Sequence, residues 1–560
     1  MSSEAIETAT ADKGIAAPGP DHNMGYSSTS KHEDDAIIHT HRHDQAMPRQ
    51  FDWLSALGLG FSITNSWVGY LSCFGQNLAY GGAQACIFSL VAAFMVQVIV
   101  TLGLAELASA FPSSGGQYHF CYILSPDRTK RYSAFVVGWL SILAWWVVTC
   151  SGLSLVAVCI NGIANFYHPV YTASQWQTYL MYLGASVVTS RLNQDSILHQ
   201  ALIRPTVMPV FAAPKRISLV TQCALYLTLA GYLVFFVVML SMHQQVQPGS
   251  FILASTQGNS GWSRGTAWIL AINNSMYAYG STDAVIHICE ELPQPGRRVP
   301  QVMIMTLAIG AVTSISLFVA LMFFVDDIDA VRDASLPSLE LVYQITGNRR
   351  ITLGLSIILA IIYAGKLTTC PRTIKCSYTD KAASLPSQWV TCGRIAWAFA
   401  RDNGLPFPEY FSDISKTFNF PVHTTIAAFL FTSLYGLLYL ASTTAFNSII
   451  TSAVLFLNIT YTVPQGILLF SGRSSLPKRY LNLGWAGYFC NGFAVVWIVI
   501  QGVLTCLPPD PEVTLGSMNY VCVILVGVFL VINLLWVAVG RKRFSGPYID
   551  WGVVKTGQRE

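Results

Sequence analysis

Two polar runs interrupt an otherwise apolar chain. The first, Ser62-Ile63-Thr64-Asn65-Ser66-Trp67, lies inside a stretch that is apolar from Trp53 and again from Val68. The second begins at Asn273-Asn274-Ser275 and ends in Tyr277-Ala278-Tyr279-Gly280-Ser281-Thr282-Asp283. Their chemistry is recognition: hydroxyls, amides and one carboxylate. Ser, Thr and Asn offer the backbone local alternatives to a continuing helix. In lipid each unsatisfied backbone group costs several kcal/mol, so such a break survives only where it lines a cavity or is buried in protein. Small polar residues also join membrane helices to one another, so one run alone reads equally well as adhesive. Two runs at matching places in two halves of a chain point to the binding site of a secondary transporter. A half-helix start presents N–H groups and a positive dipole end, and a half-helix end presents carbonyls. A small molecule with separated charges suits that pair.

Asp283 is open to three roles: partner to a cationic head, holder of a coupling proton, or cap of the second half-helix. Glu106, Glu290 and Glu291 fall at span ends, where gate salt bridges and plain interfacial solvation compete as readings. Lys366 is placed to snorkel. Trp67, Trp145, Trp146, Tyr277 and Tyr279 are candidates for a quaternary-ammonium cage, worth about 0.5–2 kcal/mol per ring, against the commoner role of packing. Trp145 and Trp146 lie in mid-span, away from the interfacial belts.

These residues need spans to position them. Of 560 residues 53% are hydrophobic and 11% charged, against about 25% charged in a soluble domain. Apolar runs long enough to cross a bilayer recur from 53 to 540, about twelve at roughly 20 residues each. They are expected at 53–78, 83–110, 133–165, 176–189 (short), 217–242, 266–291, 299–325, from 351, 422–440, 446–470, 485–507 and 515–539. Lys and Arg crowd alternate loops: Arg128, Lys130 and Arg131; Arg191 to Arg216; Arg297 and Arg298; Arg394 to Lys416; Arg473 to Arg479; Arg541 to Arg543. The other loops hold only Arg264, Arg332, Arg349 and Arg350. This bias predicts cytoplasmic termini. The thirteen cysteines form no CxxC pair, and those in apolar runs, such as Cys150, Cys159 and Cys522, read as buried inert thiols. His32, His39, His41 and His43 sit in a polar first fifty residues that reads as a disordered tail rather than a metal site. The net charge of +4 is dispersed and signals no nucleic-acid partner.

The motifs GFSITNSWVGY (60–70), ELASAFPSSGGQYHF (106–120), STDAVIHICEELPQPGRRVPQ (281–301) and IAWAFARDNGLPF (395–407) resemble the fungal amino acid/choline permeases of the amino acid–polyamine–organocation superfamily. The resemblance implies an all-α, leucine-transporter-like fold. Its parts would be two inverted five-helix repeats (51–242 and 266–470), two further helices (485–540), and cytoplasmic tails at 1–50 and 541–560. It implies proton-coupled uptake of choline, γ-aminobutyrate or another amino acid across a plasma membrane, with no cofactor. It places substrate at Ser62 to Ser66 and Tyr279 to Asp283. It places a cytoplasmic gate at 111–120, around Gly115 and Gly116, and at the proline-marked loop with Pro293, Pro295 and Pro300. Two segments depart from the pattern: 186–216 and 367–391 carry prolines and charges where helices four and eight should continue. They read as retained gene segments, and they make a transport-impaired or substrate-sensing protein the alternative. An enzyme would need convergent His, Asp or Cys groups, and a nucleotide pump a GxxxxGK[ST] motif; neither is present in the chain.

Overall fold

The computed structural model describes residues 47–168, 170–187, 217–253, 258–364, 384–416, 418–441, 443–514 and 518–548. The histidine tail, residues 188–216 and Lys366 lie outside them. Among the described residues the protein is all helix, and eight helices are long and apolar enough to cross a membrane.

The first span starts at Trp53. Asp52 caps it: its Oδ1 accepts the Ser55 N–H at 2.8 Å and its own N–H donates to Ser55 Oγ. The helix ends at Thr64, and a second piece, Ser66–Leu71, follows. Asn65 between them is left-handed, at φ 35° and ψ 54°. Asn is among the few residues that visit that region readily. The span therefore stops at Leu71 rather than at 78. The next helix, Phe74–Ala110, bends at Gly81 and Gly82, where Gly82 has φ 64°. The sixth span is broken more severely. Helix Arg264–Ser275 tightens into a 3-10 turn, Met276–Tyr279; Gly280 is extended and Ser281 left-handed at φ 62°. A 3-10 helix, Thr282–Glu291, carries the chain onward.

Close contacts hold the breaks in register. A Cβ on Gly58 would lie 2.3 Å from the carbonyl oxygen of Thr221, so the first helix crosses Ile217–Met242 backbone to backbone. Helix Pro295–Phe324 starts earlier than expected, because proline at its first position loses no hydrogen bond. Pro300 lies inside it, and does not mark a loop. The carbonyl that Pro300 leaves unused, that of Gly296, accepts instead from Ser109 Oγ at 2.7 Å.

The apolar core forms two large clusters and a small one around Met47, Trp397 and Ala398. Phe61, Ile63, Trp145 and Ala284 belong to one large cluster, and Trp67, Tyr70, Tyr279 and Phe318 to the other large one. Both breaks fall on the boundary between them. Two sequence expectations need correction. Residues from Ser384 to Thr391 are not intervening chain; they begin a helix, Ser384–Arg401, buried from Pro386 onward. Cys522 is exposed on the outer face of the Val521–Leu535 helix, unlike the buried Cys150 and Cys159.

Candidate functional site

The two breaks meet. Thr64 Oγ1, at the end of the first half-helix, donates to the Gly280 carbonyl at 3.2 Å. Beside this tie lies a cavity of about 70 Å³, well above the roughly 10–15 Å³ needed to hold a single water. The first broken helix contributes Ile63, Thr64, Asn65 and Gly69 to its wall, and the second contributes Tyr277, Gly280 and Ser281. The third span, Lys130–Tyr167, supplies Val148, Ser151, Gly152 and Leu155; Tyr363, Gln388 and the apolar Ile450 and Leu457 complete it.

Among the described residues that line the cavity none is acidic, basic or histidine. Its polarity is neutral. Ser151 Oγ and Tyr277 Oη are 2.8 Å apart, and Tyr363 Oη donates to the Val68 carbonyl at 2.7 Å. Asn65 and Gln388 are only 5% and 6% exposed, yet their amide oxygens have no hydrogen-bond partner. A buried polar atom left so costs about 1–3 kcal/mol. A ligand able to hydrogen-bond these amides recovers it.

The structure brings together part of the set expected from sequence. Ile63, Thr64, Asn65, Tyr277, Gly280 and Ser281 reach the cavity wall; the others face elsewhere. Ser62 Oγ is 2.8 Å from Ser387 Oγ. Ser66 packs beneath Gly310, where an added Cβ would meet its hydroxyl at 2.2 Å. Thr282 pairs with Thr101 through their hydroxyls at 3.2 Å. The five-ring cage is not formed. Trp67 packs on Tyr232 and Phe235, Trp146 on Phe431, and Tyr279 on Phe94 with its hydroxyl on Ser314. Trp145 donates its indole N–H to Asp283 at 3.1 Å. Gln388, Tyr363 and Ser151 were not singled out from sequence.

Asp283 is neither cap nor cavity wall. Ser281 occupies the cap position and makes no side-chain cap bond. The fully buried Asp283 carboxylate accepts from three side chains, Tyr461 Oη at 2.5 Å, Gln117 Nε2 at 2.7 Å and Trp145 Nε1 at 3.1 Å, and its Oδ2 lies 3.2 Å from His287 Nε2. His287 Nδ1 in turn donates to the carbonyl of Ser114 at 3.0 Å. A direct contact between Asp283 and a ligand head in this cavity is therefore excluded in this conformation; the carboxylate stands one layer behind.

The span-end carboxylates are ion-paired, which replaces the solvation reading. Glu106 binds Arg473, and also Arg479 Nε at 2.8 Å. Glu291 binds Arg394, and Glu290 binds Arg401 at 3.0 Å. The 111–116 loop packs between these pairs and the sixth span. Gly116 has φ +58°, and a Cβ there would meet Ile286 at 3.0 Å; one on Gly115 would strike His119 at 2.4 Å. His119 Nε2 and Tyr118 Oη bind Asp402 at 2.9 and 2.8 Å. Burial raises the Asp402 carboxyl, but His119, Arg401 and Tyr118 outweigh it and hold it below the usual carboxylate range.

Comparison with known proteins agrees with this architecture. The amino acid permease family matches residues 51–529. A choline transporter of Saccharomyces cerevisiae is 28% identical over 89% of this chain and 82% of its own length. A transmembrane transporter of Metarhizium robertsii is 27% identical over 89% and 92%. A GABA-specific permease of S. cerevisiae is 26% identical over 90% and 84%. With the match spanning most of the chain and both broken helices, the protein belongs to the amino acid permease family, as a membrane transporter and not an enzyme.

Proposed function

We propose that the chain takes up a small zwitterionic amino compound, of the γ-aminobutyrate class, by alternating access around the cavity at the two breaks. The observation that carries this reading is the neutral wall with two amides, Asn65 and Gln388, whose buried oxygens have no partner. Each amide offers both a donor and an acceptor, so together they serve a carboxylate and an ammonium whose charges sum to zero. A lone cation buried there would lack a counter-charge at contact, a costly arrangement. The six-residue second half of the first broken helix is short, so amides and hydroxyls, more than its dipole, hold the ligand.

In this reading 51–242 and 266–470 are inverted repeats, each opened by a broken helix, and 485–540 adds two helices. The Lys and Arg bias supports cytoplasmic termini, 1–50 and 541–560, in a plasma membrane. The ion pairs of Glu106, Glu290 and Glu291, with the Gly115–Gly116 corner, form the cytoplasmic gate. The coupling ion is the proton, held at Asp283. The family match does not favour the sensing alternative.

Choline is the second reading. The rings of Tyr277 and Tyr363 on the wall favour it, as does the name of the 28%-identical yeast relative. Competition separates the two. In a transport-deficient yeast, unlabelled γ-aminobutyrate is expected to block labelled γ-aminobutyrate uptake at about tenfold lower concentration than choline does, a difference of about 1.4 kcal/mol. The reverse order sinks the zwitterion reading in favour of choline.

A further inference from the structure

Buried between the cavity and the gate, Asp283 and His287 form a pair whose hydrogen bonds constrain its proton content. His287 Nδ1 faces the Ser114 carbonyl at 3.0 Å. A carbonyl only accepts, so Nδ1 carries a hydrogen in every state of this conformation. Nε2 faces Asp283 Oδ2 at 3.2 Å. If both groups were deprotonated there, two lone pairs would oppose each other. One exchangeable proton must therefore lie between them, on nitrogen or on oxygen. Both side chains are wholly buried.

The surroundings leave the pair as the local proton store. From helix Thr443–Ser471 the facing titratable group is Tyr461, which donates to Asp283. From the third span and the gate loop it is met by the Trp145 indole and the Gln117 amide. From the Phe74–Ala110 helix, Thr101 touches the neighbouring Thr282. The nearby formal charges are engaged in pairs of their own: Glu290 with Arg401, Glu291 with Arg394, Glu106 with Arg473 and Arg479, and Asp402 with His119.

We infer that Asp283–His287 is the coupling-proton site, that this conformation is its loaded state, and that unloading requires the gate loop to leave His287. Moving Ser114 away frees Nδ1 to change tautomer and lets water reach the pair from the gate end. The N–H or O–H bond then breaks, its electrons stay on the pair, and water takes the proton. The pair changes from neutral to one negative charge, which holds only once the two lone pairs separate. Substrate is felt through Ser281, on the cavity wall two residues before Asp283. This rests on the transport reading above.

The test uses the full-length protein in proteoliposomes, with labelled γ-aminobutyrate and choline as probes and an internal pH dye. In the parent protein, probe entry is expected to carry protons. In His287→Gln the protons moved per probe molecule should fall about tenfold or more, within the range of coupling between sites. Asp283→Asn should do the same, and if either variant fails to fold the other still reports. Parent exchange of a probe with no proton movement would overturn the proton site while leaving the transport reading intact. An unchanged proton-to-probe ratio in a folded variant would overturn it as well. No exchange of either probe by the parent would overturn both readings.

Discussion

Glu106→Gln is expected to destabilise the protein by about 3–5 kcal/mol, the usual result of removing one partner from a buried ion pair. Glu106 is fully buried and serves Arg473, Arg479 and the Leu483 N–H. Glutamine keeps the size but not the charge, and leaves two guanidiniums that are almost as buried facing a neutral amide. The fold cannot open there cheaply: Arg473 packs so closely on Gly487 that an added Cβ would lie 2.2 Å away. Thermal unfolding of the purified protein in detergent reads the effect. A melting temperature equal to the parent's would mean that the pair adds nothing to the folded state.

Asp283→Asn should reduce uptake by about one to several decades at equal surface amount, with about 1.4 kcal/mol for each decade. The geometry explains why a nearly isosteric change matters. With its oxygen toward Gln117 and Trp145, the amide turns its nitrogen toward Tyr461, whose hydroxyl can accept. His287 Nε2 then has no proton to share, and a buried bond to a charged group, about 1.5–3 kcal/mol, is lost. Uptake and its pH profile matching the parent would reduce Asp283 to a structural carboxylate.

The breaks were legible because the residues that break a helix differ in kind from those that continue it. Asn65 takes a left-handed corner that the neighbouring Ile63 or Trp67 would resist. The span end at Leu71 and the bend at Gly81–Gly82 were less legible, since apolar composition runs on through both. Which way a side chain faces beyond a break was not legible at all. Each break resets the helical rotation, so Ser66 and Trp67 turn away from the cavity while Gly69 faces it. The role of Asp283 depended on partners 138 to 178 residues distant in sequence, Trp145, Gln117 and Tyr461. His287 did leave a signal, a histidine four residues after an intramembrane aspartate. Gln388 was hidden because it follows a polar, proline-containing segment; the helix has resumed by Ser384, and the neighbouring Ser387 meets Ser62.

The central claim is that substrate binds at the neutral cavity between the two breaks. Gln388→Leu tests it most directly, because position 388 is helical and the change adds no backbone strain. The measurement is the concentration dependence of labelled γ-aminobutyrate uptake in a transport-deficient yeast, with surface protein quantified. Saturable uptake by the parent, and in Gln388→Leu a half-saturating concentration raised about tenfold or more through loss of about 1–3 kcal/mol of polar contact, is the predicted result. Identical half-saturation in the two proteins at equal surface amount would contradict it.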